Sequence, residues 1–508
     1  MSGGAAGDPS LACLAEAILV PPFPGVTVPG WLLAALDRGL AGVTLFGPNV
    51  SDPAQLAALT SQLRNAADEP VIAIDEEGGD VTRLAHRTGS PYPGNAALGA
   101  VDDTGLTTEI YRALGFDLAA AGINTNLAPS ADVNSAANNP VIGTRSFGAD
   151  TGVVARHAAA AVTGLQSAGV AACAKHFPGH GSTRDDSHHV IAAVDGDLDQ
   201  VRRRDLPPFA AAIAAGVQAI MPGHLRVPGL TGALPATWSA AALTGLLRGE
   251  LGFTGAIISD ALEMRAVSDP HGVPEAAVRA VAAGADLLCL GRDQDEQMYL
   301  AVRTALAAAV TEARLPAARL EDAGRRVTAL RSWLAGGRRG AALVPTADRD
   351  ATQAGLSAAR RALQVSGLTG PPANPLVVEF SSRKNIAVGT VPWGLGPWLD
   401  GNVRRLDASR AEDDLAPAIS AALARAAGRP LVIVVRDAHR HPATRAAIML
   451  LLAARPDAVV VEMGLPVWRP PSGAYVATYG AARPNAQAAA EILGLATPGR
   501  ASPERRTG

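Results

Sequence analysis

Val170-Ala-Ala-Cys-Ala-Lys175-His176 is a continuous apolar run that stops on two polar side chains. A strand with one wet face would alternate apolar and polar residues. An unbroken run reads as a strand covered on both faces, as in a parallel sheet. A cation at the end of such a strand is costly unless it is paired or put to use. The pattern repeats along the chain. Val71–Asp75 ends on Asp75, Gln218–Met221 is followed by His224, and Ala256–Asp260 ends on Asp260. Glu16–Val20, Gly42–Phe46, Ile123–Leu127 and Asp286–Leu290 bring the runs to eight. Between them, stretches such as Pro53–Ala66, Thr151–Ala168 and Ala276–Ala283 have the apolar spacing of amphipathic helices. Eight strand–helix units fit an α/β fold of the closed (β/α)8 kind, a TIM-like barrel. Periodicity alone leaves an open doubly wound sheet as the alternative. The polar strand ends favour the barrel, because its strands all finish on one rim, where active sites are built.

With 508 residues the chain exceeds one ordinary core. The spacing predicts a catalytic barrel over 1–335 and a Gly- and Arg-rich linker over 336–348. A smaller α/β sandwich domain follows over 349–500, then a frayed tail over 501–508. The second domain is read from the runs Leu376–Phe380, Leu431–Val435 and Val459–Glu462 and the helical stretch Ala443–Ala454. Hydrophobic content of 48% with 18% charged residues describes a folded globular protein. A formal charge of -3 supplies no basic face, which argues against nucleic acid or a membrane surface as partner. Leu11–Val20 has no basic residue before it, contains Glu16 and is too short to cross a bilayer. It reads as the first buried strand of a cytoplasmic protein, monomer or homodimer. Cys13, Cys173 and Cys289 are odd in number and far apart, and read as buried thiols.

Four segments carry chemistry. In Ile74-Asp-Glu-Glu-Gly-Gly-Asp-Val-Thr-Arg83, a strand delivers Asp75 to the rim and Arg83 follows a tight glycine turn. A carboxylate and a guanidinium so spaced can grip neighbouring sugar hydroxyls, although a local ion pair explains them equally well. Asn138-Asn-Pro-Val-Ile-Gly-Thr-Arg145 places Arg145 after a polar loop and by itself reads as a surface arginine. Lys175-His-Phe-Pro-Gly-His-Gly-Ser-Thr-Arg-Asp-Asp-Ser-His-His189 holds four of the ten histidines. Its Pro178, Gly179 and Gly181 make it a loop open to movement. Asp186 stands two residues before His188, close enough to accept from one imidazole nitrogen and raise the basicity of the other. In Ile257-Ile-Ser-Asp-Ala-Leu-Glu-Met264, Asp260 ends a strand on the same rim, where a helix N-cap is the competing explanation.

Together these segments resemble the family 3 glycoside hydrolases, in particular their β-N-acetylglucosaminidase (β-N-acetylhexosaminidase) branch of two-domain type. Asp75, Glu77, Gly78, Gly79, Val81 and Arg83 meet the family's D-x-E-G-G-x-V-x-R pattern. Lys175 to His188 meet its K-H-F-P-G-H-G-x4-D-S-H signature in full. Ser259, Asp260, Ala261, Leu262 and Met264 meet the nucleophile segment. Arg436–Asp437, Glu462–Pro466 and Tyr479–Ala482 resemble the second domain of such proteins. Asp80 stands where the family usually has a basic residue, and Ala192 where it has proline.

The resemblance implies that Asp260 is the nucleophile, His188 the acid/base and Asp186 its orienting partner. It further implies that Asp75, Arg83, Arg145, Lys175 and His176 bind the sugar and its acetamido group. The expected reaction is hydrolysis of terminal β-linked N-acetylglucosamine with retention, through a glycosyl-aspartate intermediate and without cofactor or metal. A phosphorylase using the same intermediate is the first alternative, since a neutral histidine repels phosphate less than a carboxylate would. A metal-dependent barrel hydrolase built on the histidine cluster is the second. Muropeptide and chitooligosaccharide fragments are both suitable small substrates.

Overall fold

The computed structural model describes residues 9–269, 271–340, 348–381, 387–399, 403–407 and 412–496. The chain divides into two compact units. The first comprises Met1–Glu77, Thr107–Ile142 and Ala149–Thr346; the second comprises Gly78–Leu106, Gly143–Gly148 and Ala347–Gly508. Two loops that leave barrel strands therefore cluster with the second unit.

In the first unit, every predicted run overlaps a strand. These are β1 (Leu19–Val20), β2 (Gly42–Leu45), β3 (Val71–Ile74), β4 (Thr125–Asn126), β5 (Ala171–Phe177), β6 (Ala219–Pro222), β7 (Ala256–Ile257) and β8 (Leu288–Cys289). β2 through β7 form one parallel sheet in sequence order. The sheet then closes on itself. β7 meets β8 through the Ile258–Leu287 bridge, β8 pairs with β1, and β1 joins β2 through the Ala41 and Thr44 N–H groups, which donate to the Glu16 and Pro21 carbonyls. Closure removes the open-sheet alternative. All seven residues of β5 are buried, as expected of a strand covered on both faces.

β4 is short because asparagine side chains do part of the pairing. Asn124 joins Ile72 N–H and the Pro70 carbonyl, and Asn126 joins Glu76 N–H and the Glu76 carbonyl. The second pair clamps the backbone between Asp75 and Glu77.

Three sequence expectations need correction. Leu11–Glu16 is helical, within a helix Pro9–Glu16, and only Leu19–Val20 is strand. Glu16 ends that helix as a buried carboxylate, bonded to Tyr299, Arg303 and Arg38. Cys13 is exposed, whereas Cys173 and Cys289 are buried. The expected linker begins too early: helix Ala317–Gly340 runs through Gly336 and Gly337. Of that linker 341–347, and of the C-terminal segments 497–508, lie outside the described residues.

The second unit contains β9 (Gln364–Ser366), β10 (Leu376–Ser381), β11 (Val403–Asp407), β12 (Leu431–Val435), β13 (Val459–Glu462) and β14 (Ala474–Ala477). Their order is β9-β14-β13-β12-β10-β11, parallel except for β9 against β14. Alternate side chains serve opposite faces. Leu376, Val378, Ile433 and Val460 pack with Leu415, Ile419, Ile448 and Leu451 of helices Glu412–Arg425 and Pro442–Ala454. Val377, Val432, Val434 and Val461 pack with Ala486 and Ala489 of helix Arg483–Ile492. This is the expected α/β sandwich.

Candidate active site

The C-terminal ends of β3, β5, β6 and β7 carry the candidate side chains of the first unit. Lys175, on β5, is almost fully buried and its Nζ lies 2.6 Å from Asp75 and 2.8 Å from Glu77. Two carboxylates around one ammonium explain how a strand can bury that cation. His176 follows, with its Nδ1 2.8 Å from Asp132.

The segment after β5 is hydrogen-bonded at several points. Asp132 accepts from the N–H groups of His176 and His180. The His180 ring then joins the Thr183 hydroxyl through Nδ1 (2.7 Å) and the Ser187 hydroxyl through Nε2 (2.8 Å). Asn139 adds bonds to the His180 and Thr183 carbonyls. The staple ends beside the expected acid/base. His188 Nδ1 lies 2.7 Å from Asp186 Oδ1, which also accepts the His188 N–H at 2.9 Å. Burial pushes the Asp186 carboxyl up, but its bonds to His188 outweigh this and hold it below the ordinary value. An ionised Asp186 fixes the proton on Nδ1 and makes Nε2 the nitrogen that can exchange one.

Asp260 follows β7 and is partly exposed. Its Oδ1 accepts from the Ala261 N–H at 2.7 Å. It caps no helix: the next one, Arg265–Ser268, begins after Met264 and has no side-chain cap, while the Ser259 hydroxyl accepts from the Cys289 N–H. The competing N-cap explanation therefore fails. Burial pushes the Asp260 carboxyl up, yet His224, His176, the Ala261 N–H and His188 together hold it below the ordinary range.

Asp132 is the residue that pattern reading passed over, whereas His224 was seen as a polar strand end and given no role. His224 is buried, 2.9 Å from the Thr237 hydroxyl and 3.1 Å from the Ala261 carbonyl. Burial lowers its pKa against the opposing pull of Asp260 and the Ala261 carbonyl. Its position after β6 was the available signal. Asp132 follows a proline loop, not a recognisable run, and offers no such signal.

Arg83 and Arg145 fall in the second unit. Arg83 donates to the Ala387 carbonyl at 2.9 Å. Arg145 is buried on the turn Gly143–Arg145, where its carbonyl accepts from Asn95 and Thr144 donates to Asp80 at 2.6 Å. Asp80 also pairs with Arg436 at 2.9 Å and accepts the Ala481 N–H. The acidic departure at this position is thus matched by a guanidinium. Ala192, the other departure, pairs with Leu225 in a two-residue strand.

Among the described residues no group of three or more His, Cys, Asp or Glu is arranged to hold a metal ion, and no helix is long and apolar enough to cross a membrane. A closed parallel barrel with carboxylates, a buried lysine and imidazoles gathered at its C-terminal strand ends is an enzyme type of site. The family follows from comparison: residues 34–330 match the model described as Glycosyl hydrolase family 3 N terminal domain, and the chain belongs to that family. It is 38% identical over 283 residues to beta-hexosaminidase A of Pseudoalteromonas piscicida, covering 51% of this chain and 47% of that protein. The chain thus spans about half the length of that relative. It is 36% identical over 290 residues to a beta-hexosaminidase of Stenotrophomonas maltophilia, covering 54% of this chain and 85% of that one. A solved family 3 β-N-acetylglucosaminidase from Paenibacillus sp. str. FPU-7 is similar over 96% of this chain and 97% of its own, with 33% identity and a TM-score of 0.85.

Proposed function

We propose that the chain is a retaining exo-β-N-acetylglucosaminidase, with Asp260 as nucleophile and His188 as acid/base oriented by Asp186. The observation that carries this reading is the Asp186–His188 contact of 2.7 Å, on a loop stapled beside the rim that bears Asp260. The similarity to the Paenibacillus enzyme, named a β-N-acetylglucosaminidase, supports the sugar.

Glycoside cleavage develops positive charge at the anomeric carbon and negative charge on the leaving oxygen. Ionised Asp260 stabilises the first and then bonds to that carbon. Protonated His188 gives its Nε2 proton to the leaving oxygen; the neutral ring then takes one from water, which releases the sugar with retention. Asp75, Lys175 and His176 hold the sugar hydroxyls. Suitable substrates are small fragments ending in β-linked N-acetylglucosamine, from muropeptides or chitooligosaccharides. The unpaired cysteines accord with a cytoplasmic setting.

The test compares His188→Ala with wild type on aryl and alkyl N-acetylglucosaminides, with and without phosphate. A leaving group that needs no proton should largely rescue the variant, and free N-acetylglucosamine should be the product in either buffer. Equal losses on both substrates would remove His188 from its role. A sugar 1-phosphate product would replace hydrolysis by phosphorolysis.

A further inference from the structure

Asp132 is fully buried and lies where four hydrogen-bond donors converge. Its Oδ1 accepts the backbone N–H groups of His176 (3.1 Å) and His180 (2.7 Å). Its Oδ2 lies 2.9 Å from the Ser130 hydroxyl and 2.8 Å from His176 Nδ1. Burial pushes this carboxyl up, but His176 and His180 outweigh it and the group stays ionised. An ionised carboxylate can only accept, so His176 carries its proton on Nδ1 and Nε2 is its basic nitrogen.

We infer that Asp132 is a positioning residue that fixes the tautomer and ring orientation of His176, forming a second Asp–His pair beside Asp186–His188. The same carboxylate holds the first turn of the loop through its two backbone bonds. Its effect on turnover rests on the glycosidase reading above; the tautomer belongs to the folded chain whatever its substrate. Asparagine at this position separates the two duties. Its carbonyl keeps both backbone donors, while its NH2 group, in place of Oδ2, donates to Nδ1 and drives the ring proton to Nε2.

The experiment records side-chain 15N shifts of His176 in wild type and Asp132→Asn, assigned with His176→Gln, alongside kcat/KM on an aryl N-acetylglucosaminide. The expected result is a protonated Nδ1 in wild type, a protonated Nε2 in the folded variant, and a loss of about 10- to 100-fold in kcat/KM. A wild-type His176 protonated on Nε2 overturns the inference, even if the variant fails to fold. So does a folded Asp132→Asn with the inverted tautomer and wild-type turnover. Wild type inactive on N-acetylglucosaminides, yet protonated on Nδ1, would sink the glycosidase reading while upholding the hold of Asp132 on His176.

Discussion

Asp260 and Asp286 are carboxylates at opposite ends of neighbouring barrel strands, and their surroundings differ completely. Asp286 precedes β8, is fully buried, and receives Arg248 and Arg319 at 2.5 Å each together with the Ile257 N–H at 2.8 Å. Asp260 follows β7, keeps some solvent exposure, and among the described residues accepts only the Ala261 N–H. Guanidiniums saturate the first carboxylate. Imidazoles surround the second, and its oxygens keep room for further partners. In a barrel the N-terminal rim serves stability and the C-terminal rim serves chemistry, and the donors around each acid accord with that division.

Removing each acid should separate the two roles. The largest effect is expected for Asp260→Ala, with kcat down on the order of 10^4- to 10^6-fold and no loss of thermal stability. A folded variant that retained more than about a hundredth of wild-type kcat would break the contrast. Asp286→Ala should do the reverse. It removes the buried carboxylate shared by two partly buried guanidiniums, so urea unfolding should show a loss of about 3–5 kcal/mol, with near-normal kcat in the molecules still folded. An unchanged urea midpoint would mean that the cluster is decoration.

The smallest effect is a pH shift. Asp260 sits below the ordinary 3.8, so its charge survives as pH falls through the usual carboxylate range and is lost only below it. His224→Gln keeps a donor for Ala261 but deletes the strongest of the imidazole influences. The acid limb of kcat/KM owed to Asp260 should then move upward, by less than about one pH unit. A downward shift would show that the imidazoles do not sustain the charge.

Much of this was legible because buried parallel strands must be continuously apolar. All eight barrel runs overlap their strands, and Leu431–Val435 and Val459–Glu462 in the second unit match to the residue. The pair Asp186–His188 was legible because its geometry is local: two residues apart, the contact needs only a turn. Leu11–Glu16 misled because an apolar decamer fits a helix as well as a strand, and Glu16 finds its partners in Arg38, Tyr299 and Arg303. The glycines marked the histidine segment as a loop, but not the bonds that Asp132, Asn139 and the His180 ring make within it. Asp80 looked like an unexplained change of sign until Arg436, far along the chain, stood beside it.

By itself the sequence determined the strand–helix period, the polar strand ends and the acid–imidazole spacing of the loop, because backbone periodicity and short-range geometry act over a few residues. Tertiary structure decided which ends are saturated and which are open. Burial of Lys175 between Asp75 and Glu77, of Asp132 against His176, and of Asp286 between two arginines all depend on partners brought together by closing the barrel. A charge buried away from water must be met by whatever donor the fold delivers, and spacing along the chain does not say which one arrives.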